Sequence, residues 1–219
     1  MKKLITITGQ TKEWLEGNHG ALDFKVRRGC TVVVNLNGKR TQTLQALSDS
    51  DTWCRATFTF CRPRIVMPYQ IEVFSETEDS IQEIIDALWD TTADTVTVHN
   101  CPSLKSLRFH NVLHFDFPEI CNIESLDCDG FRGDVLDLSV LSRLKSLRCQ
   151  MGEPATIELS KSPELVMLDL FGCKVKHLKI NNQAAVRDVC LHSGNNLISR
   201  SRSWIEERVK TVGGRFLEI

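Results

Sequence analysis

The sequence predicts an α/β, mostly β fold: a solenoid of parallel strands with a strand-rich N-terminal cap and a helical C-terminal cap. A six-residue apolar pattern recurs in the second half of the chain, and its repeats start 19, 21, 21 and 21 residues apart. A second pair of apolar residues follows most of these repeats, and amphipathic segments flank the array on both sides. Coils of this length cannot bury their apolar residues singly, so they must stack.

The repeated segments share apolar residues at their first, fourth and sixth positions. These segments are 104–109, 123–128, 144–149, 165–170 and 186–191. The second apolar pairs are Phe115 with Phe117, Leu136 with Leu138, Ile157 with Leu159 and Leu178 with Ile180, preceded by Val96 with Val98. Apolar residues at alternate positions are typical of half-buried strands, so each coil is expected to contain two strands.

This pattern resembles the short leucine-rich repeat, of about 21 residues and two strands per coil, that is common in bacterial proteins. The resemblance covers about residues 93–199. It implies stacked parallel strands and a protein partner, because family members mostly bind proteins. The asparagine of the family motif is mostly missing, and Asn100, Asn111 and Asn181 or Asn182 are the candidate replacements.

Residues 1–92 are expected to form the N-terminal capping region. Alternation predicts strands at 4–7, 22–26, 57–60 and 71–74, with a helical turn at 12–16. Asn37-Gly38 between two apolar segments predicts a type I′ hairpin turn. From Ser80 to Asp90, apolar residues at helical spacing predict a helix that covers the first coil.

Residues 200–219 are expected to close the other end of the 93–199 repeat domain. Ser203-Trp-Ile-Glu206 has the capping-box pattern at the start of a helix, and Gly213-Gly214 is typical of its end. Residues 215–219 are predicted to return as a closing strand.

Composition restricts the class of function. The chain has 27 basic and 28 acidic residues, which argues against a nucleic-acid partner held by phosphate neutralisation. No apolar run approaches the length of a membrane span, so no membrane partner is expected. Nine cysteines without a CxxC pair are interpreted as reduced packing residues. A cytoplasmic location is therefore expected.

Outward residues of the first strand in each coil are the candidate partner-binding surface. One column of charges runs Arg108, Asp127, Arg148 and Asp169, another runs Lys105, Glu124 and Lys145, and a mixed column runs His99, His110, Asp129, Gln150, Phe171 and His192. The candidate partner-binding residues are Arg108, Asp127, Asp129, Arg148, Gln150, Met167, Asp169, Phe171 and His192. Met167, Phe171 and His192 are the strongest expected contact. The plainer interpretation of the charged columns is an ion-paired surface that fixes the register of the coils.

No metal or cofactor is predicted. Asp116, Asp137 and Glu158 form an acidic stripe on the second-strand row, but the turn motifs of calcium-binding solenoids are absent. A solvated surface is the favoured interpretation of this stripe.

The favoured function is a non-catalytic protein-interaction module, and two alternatives stay open. In one, the N-terminal region is an enzyme with Cys54 or Cys61 as nucleophile and His19 as base, and the repeats select its substrate. In the other, the chain is a bacterial effector that acts inside a host.

Overall fold

The computed structural model describes residues 1–10, 19–45, 53–61, 68–86, 92–191 and 199–218. The described residues are mostly β-strand and contain one helix. They fall into two compact units, Met1–Cys121 and Asn122–Ile219.

Unit 1 consists of strands in two groups. The strands are β1 Lys2–Gln10, β2 His19–Arg27, β3 Thr31–Leu36, β4 Lys39–Gln45, β5 Trp53–Cys61, β6 Pro68–Ser75, β7 Ile81–Asp86, β8 Thr92–Val98, β9 Ser106–Arg108 and β10 His114–Asp116. One group is a six-stranded sheet in the order β10-β8-β1-β6-β3-β4, and the other runs β9-β7-β2-β5. The core of unit 1 is aliphatic and aromatic, with Ile5, Phe24, Val34 and Phe58 each 0–1% exposed.

The hairpin and the four short strands predicted in this unit are confirmed. Leu36 pairs with Lys39 across the turn, and Asn37 and Gly38 have φ angles of 51° and 75°. Two consecutive positive φ angles are what a type I′ turn requires. The helical turn predicted at 12–16 lies outside the described residues.

The helix predicted from Ser80 to Asp90 is wrong over its first half, because residues 81–86 form strand β7. Its pairing with β2 shifts register between Lys25 and Val26, which face Glu83 and Ile81. This bulge adds one residue to β7, so Ile81 and Ile84 both point into the core although they are three positions apart. Apolar residues three positions apart also lie on one face of a helix, and this spacing led to the wrong prediction of a helix. Residues 87–91 lie outside the described part of the chain.

Instead of covering a coil, β7 extends the parallel strand stack. Ile84 pairs with Leu107 of β9. In the second-strand row, Phe115 of β10 pairs in parallel with Val96 of β8, as the apolar pair at 96 and 98 predicted. Parallel pairing in unit 1 therefore begins one coil before the first recognisable repeat.

Unit 2 is a parallel β-solenoid. Its strands are β11 Ser125–Asp127, β12 Val135–Asp137, β13 Ser146–Arg148, β14 Thr156–Leu159, β15 Met167–Leu170, β16 His177–Ile180, β17 Asp188–Leu191 and β18 Arg215–Glu218. The first-strand row runs β11-β13-β15-β17-β18, and the second-strand row runs β12-β14-β16. The predicted repeats and second apolar pairs are confirmed as strands in this order.

The apolar ladder inside unit 2 follows the 21-residue interval. Leu126, Leu147, Leu168 and Val189 are register partners from strand to strand, and each is at most 2% exposed. The Asn181 Nδ2 donates to the carbonyl oxygen of Ser160 in the previous coil, 2.6 Å away. The solenoid therefore combines a continuous apolar core with polar bonds between coils.

Several described coils turn a corner after their first strand through a residue with positive φ. In unit 2 these residues are Gly130, Met151 and Gly172, with φ angles of 70°, 54° and 73°. In unit 1, Asn111 follows β9 in the same way, with φ of 54°. Gly and Asn tolerate this conformation, whereas Met151 takes it at a steric cost.

The C-terminal helix and closing strand are confirmed. Helix α1 spans Ser199–Thr211 and buries Ile205 and Val209. Gly214 N donates to Val209 O over 2.9 Å at the helix end, and β18 then pairs in parallel with β17. The helix begins four residues before the predicted start at Ser203, so Ser203 and Glu206 lie inside it and do not form the predicted capping box.

Candidate protein-interaction face

The outward residues of β11, β13, β15, β17 and β18 form one surface of unit 2, here called the outer face. One register column contains Asp127, Arg148, Asp169, Cys190 and Leu217. The neighbouring column contains Ser125, Ser146, Met167, Asp188 and Arg215. Neighbouring strands are about 4.8 Å apart, so these side chains form a closely spaced grid.

A polar network fixes the middle of the outer face. The Arg148 guanidinium Nη2 lies 3.1 Å from Asp129 Oδ2 and donates to Gln150 Oε1 over 3.0 Å. The Gln150 amide Nε2 donates to Asp169 Oδ2 over 2.6 Å. Asp169 Oδ1 accepts a bond from the backbone N of Phe171 over 3.1 Å. These bonds connect three successive coils, so the side chains are held in defined positions.

The ion pair of Arg148 connects two coils, but it is not aligned with the column of alternating charge. Arg148 is in register with Asp127 and Asp169, but its ion pair runs diagonally to Asp129. Arginine is longer than the distance between strands, and it reaches a carboxylate two residues further along the previous coil. The column of Glu124 and Lys145 behaves as predicted, with 2.8 Å between Glu124 Oε2 and Lys145 Nζ. This bond raises the pKa of Lys145.

Two of the predicted contact residues are buried. Asp127 is 8% exposed and Asp129 is 5% exposed. Asp129 accepts a bond from the backbone N of Gln150 over 2.7 Å, in addition to its ion pair with Arg148. Asp129 therefore positions the residues of the outer face and offers a partner little surface.

The partner contact expected at Met167, Phe171 and His192 stays a prediction. Met167 opens β15, and Phe171 follows the end of that strand. Four residues of extended chain span about 13 Å, so the two side chains are separated along the strand. His192 lies outside the described residues. Arg108 is in unit 1, at the end of β9, where it is exposed.

Met167 also borders a groove on the outer face. The groove has a volume of about 160 Å³ and is lined by Met167, Leu168, Asp169, Asp188, Val189, Cys190, Arg215 and Leu217. Sequence reasoning missed the part contributed by β17 and β18. The predicted closing strand at 215–219 was the signal that could have found it. A strand beside the last coil places alternate residues in the two outward columns.

The acidic stripe of the second-strand row is bonded within the protein. In unit 2, Asp137 Oδ1 accepts a bond from Ser139 N over 2.9 Å, and Glu158 Oε2 lies 2.8 Å from Lys179 Nζ. Asp116 belongs to unit 1, at the end of β10. Lys179 therefore neutralises one carboxylate of the stripe within the protein.

The eight cysteines whose side chains are described are free thiols. Cys128, Cys149 and Cys173 are at most 1% exposed in the core of unit 2, where they pack as predicted. Burial raises the pKa of Cys128. The pKa of Cys149 is raised mainly by its side-chain hydrogen bond with Cys128. These thiols stay protonated at neutral pH and serve the packing of the core.

No protein-family model, curated protein or solved structure matches this chain. In the described part of the chain, no helix has the length and apolar character needed to cross a membrane.

The register of unit 1 pairs His19 with only one of the two predicted nucleophiles. In the antiparallel pair of β2 and β5, His19 is the backbone partner of Cys61, whereas Cys54 is the partner of Val26. Cys54 and Cys61 lie seven residues apart in one strand, or about 23 Å. Of the two predicted nucleophiles, only Cys61 has its backbone opposite that of His19 in the strand pair.

Proposed function

We propose that this chain is a non-catalytic protein-interaction module that presents the outer face of unit 2 to a protein partner. Its coils are proposed to be leucine-rich repeats of the short bacterial type. The observation that carries the proposal is the in-register column of Asp127, Arg148, Asp169, Cys190 and Leu217. It crosses five strands without interruption.

The chemistry of the outer face supports a binding role. Its side chains are preorganised by the network around Gln150, which limits the conformational entropy lost on binding. Met167 and Leu217 expose apolar surface, 38% and 55% respectively. An interface needs both features: apolar surface to bury and polar groups that fix orientation.

The ends of the chain fit the same proposal. Terminal coils of a solenoid need elements that cover their apolar edges. Helix α1 and β18 are proposed to cap the C-terminal coil, because Arg208 Nε donates to Ala184 O over 2.9 Å and β18 extends the first-strand row. The antiparallel strands of unit 1 are the proposed N-terminal cap.

The proposal is tested by affinity capture from a native lysate with the wild type and the Arg148→Glu/Asp169→Arg variant. The control is Glu153→Lys, an exposed charge reversal outside the outer face. We expect a defined protein that binds the wild type and the control but not the double variant. Circular dichroism must show all three forms folded. If the double variant retains every protein that the wild type retains, the outer face is not the binding surface.

The second candidate function is a cysteine-dependent activity in unit 1, which the backbone pairing of His19 with Cys61 favours. A nearby imidazole lowers the pKa of a thiol and accelerates its alkylation. Alkylation kinetics followed by mass spectrometry test this candidate, with His19→Ala as the matched variant. If Cys61 reacts no faster than Cys54, and His19→Ala changes neither rate, the candidate is excluded.

A further inference from the structure

The groove on the outer face has a structural cause in the residue at its centre. Cys190 stands in the column that holds Arg148 and Asp169 in the preceding coils, between Asp169 and Leu217 in register. Its side chain is the smallest in this column. A short residue between longer neighbours leaves a depression, and Met167 and Leu217 border it.

The size of the groove selects the kind of ligand. Sites for cofactors and small molecules usually have volumes of about 300–1,000 Å³, whereas this groove has about 160 Å³. That volume accepts one side chain of a partner. Most of the exposed lining is apolar, so the side chain that it accepts is apolar as well.

The charges at the rim of the groove determine which residue should stand next to that apolar side chain in the partner. In the described structure Asp169 accepts bonds from neutral donors, namely the Gln150 amide, the Phe171 backbone and the Cys190 thiol. Asp188 is ion-paired through Oδ1 with Arg215, whose side chain is 81% exposed. Its Oδ2 has no bonded partner among the described residues. The rim therefore has two carboxylates and one guanidinium, an excess of negative charge that complements a cation.

We propose that the groove binds an extended segment of a protein partner that presents an apolar side chain beside an arginine or lysine. The apolar side chain enters the depression over Cys190 and packs between Met167 and Leu217. The cationic group bonds to Asp169 or to the second oxygen of Asp188. This inference rests on the proposed function of the outer face, and it specifies the partner and the place of contact.

Selection from a display library of random linear peptides tests this proposal. The full-length chain is the bait, and the selected peptides are titrated by fluorescence polarisation. We expect a consensus with an apolar residue beside an arginine or lysine. Cys190→Leu, which fills the groove, and Asp188→Asn, which removes one rim charge, should each weaken binding about tenfold or more. Glu153→Gln is the control and should bind like the wild type.

The outcomes separate this inference from the proposed function. A consensus without a basic residue, or unchanged binding to Cys190→Leu, overturns the groove proposal. If selected peptides then lose binding to Arg148→Glu, the outer face remains a binding surface and only the groove is excluded. If no peptide is selected, the groove does not bind short extended segments. The lysate capture with the Arg148→Glu/Asp169→Arg variant then decides the proposed function alone.

Discussion

The thiol of Cys173 donates a hydrogen bond to the carbonyl oxygen of Cys149, with 2.5 Å between sulfur and oxygen. The two sulfurs lie 3.9 Å apart. The side-chain hydrogen bond between the two thiols raises the pKa of Cys173, and burial raises it further. A thiol so placed acts as a donor between coils and is a poor nucleophile, because the thiolate is the reactive form.

The thiols are therefore expected to differ in their rates of alkylation. Among the thiols whose side chains are described, Cys30, Cys54 and Cys190 are half-buried and should react with iodoacetamide before the buried ones. Cys128, Cys149 and Cys173 should react only when the chain unfolds. A mass-spectrometric time course, compared with the same protein in denaturant, measures the order. If Cys149 in the native protein were alkylated at the same rate as Cys30, the burial of Cys128, Cys149 and Cys173 would be contradicted.

Leu147→Asp should prevent folding of unit 2. Leu147 is 0% exposed, between Leu126 and Leu168 in register. A carboxylate there has no cation to pair with, and burial of an unpaired charge costs several kcal/mol. The measurement is circular dichroism with thermal unfolding. Lys161→Asp, at an exposed position of the same unit, is the control and should leave the melting temperature nearly unchanged.

Met151→Gly should stabilise unit 2. Met151 has φ of 54°, and its side chain is 68% exposed, so glycine relieves the backbone with little loss of packing. We expect a gain of about 1 kcal/mol in the free energy of unfolding. Met151→Ala is the matched variant, because it shortens the side chain and keeps the strain. Equal urea midpoints for the two variants would show that the backbone is not strained.

Gly214→Ala should destabilise the C-terminal strand more than Gly213→Ala. A Cβ on Gly214 would lie 2.1 Å from the Arg187 carbonyl oxygen and 2.7 Å from its Cα, so backbone must move. A Cβ on Gly213 would meet no atom within 4 Å, and its only cost is the positive φ of 66°, about 1 kcal/mol. Chemical denaturation of both variants provides the comparison. A larger loss for Gly213→Ala would contradict the close approach at Gly214.

The ion pair of Glu158 predicts a dependence of stability on pH. Burial opposes ionisation of Glu158, but the bonds from Lys179 and Ser160 outweigh it and lower its pKa below the ordinary 4.5. A lowered folded pKa stabilises the fold above pH 4.5, and this contribution disappears as the pH falls through the folded pKa. Glu158→Gln should cost about 0–1 kcal/mol at pH 7. The difference from wild type in urea unfolding should shrink in acid; a constant difference would exclude the linkage.

The repeats could be predicted because a fixed interval places equivalent leucines in equivalent strands. Leu126, Leu147 and Leu168 show this most clearly, since every step is 21 residues. The prediction failed at β7, where the bulge opposite Lys25 and Val26 gave a strand the apolar spacing of a helix. A bulge depends on the pairing of two strands that are distant in sequence, and neither strand specifies it alone.

The candidate site could be predicted in its columns but not in its contacts. Alternation within a strand identified Arg148 and Asp169 as outward residues. It could not give the diagonal bond from Arg148 to Asp129, because the length of a side chain decides which carboxylate it reaches. The groove also depends on β18 lying beside β17, although a helix separates the two in sequence.

The equal spacing of unit 2 has a consequence for how such a protein changes in length. The coil that begins at Leu126 and the coil that begins at Leu147 present matching edges to their neighbours. Removal or duplication of 21 consecutive residues would therefore join edges that already fit, and would shorten or lengthen the stack by one strand spacing, about 4.8 Å. A deletion inside unit 2 that is not a whole number of coils would move leucines out of the ladder, so this stack can change length only by whole coils.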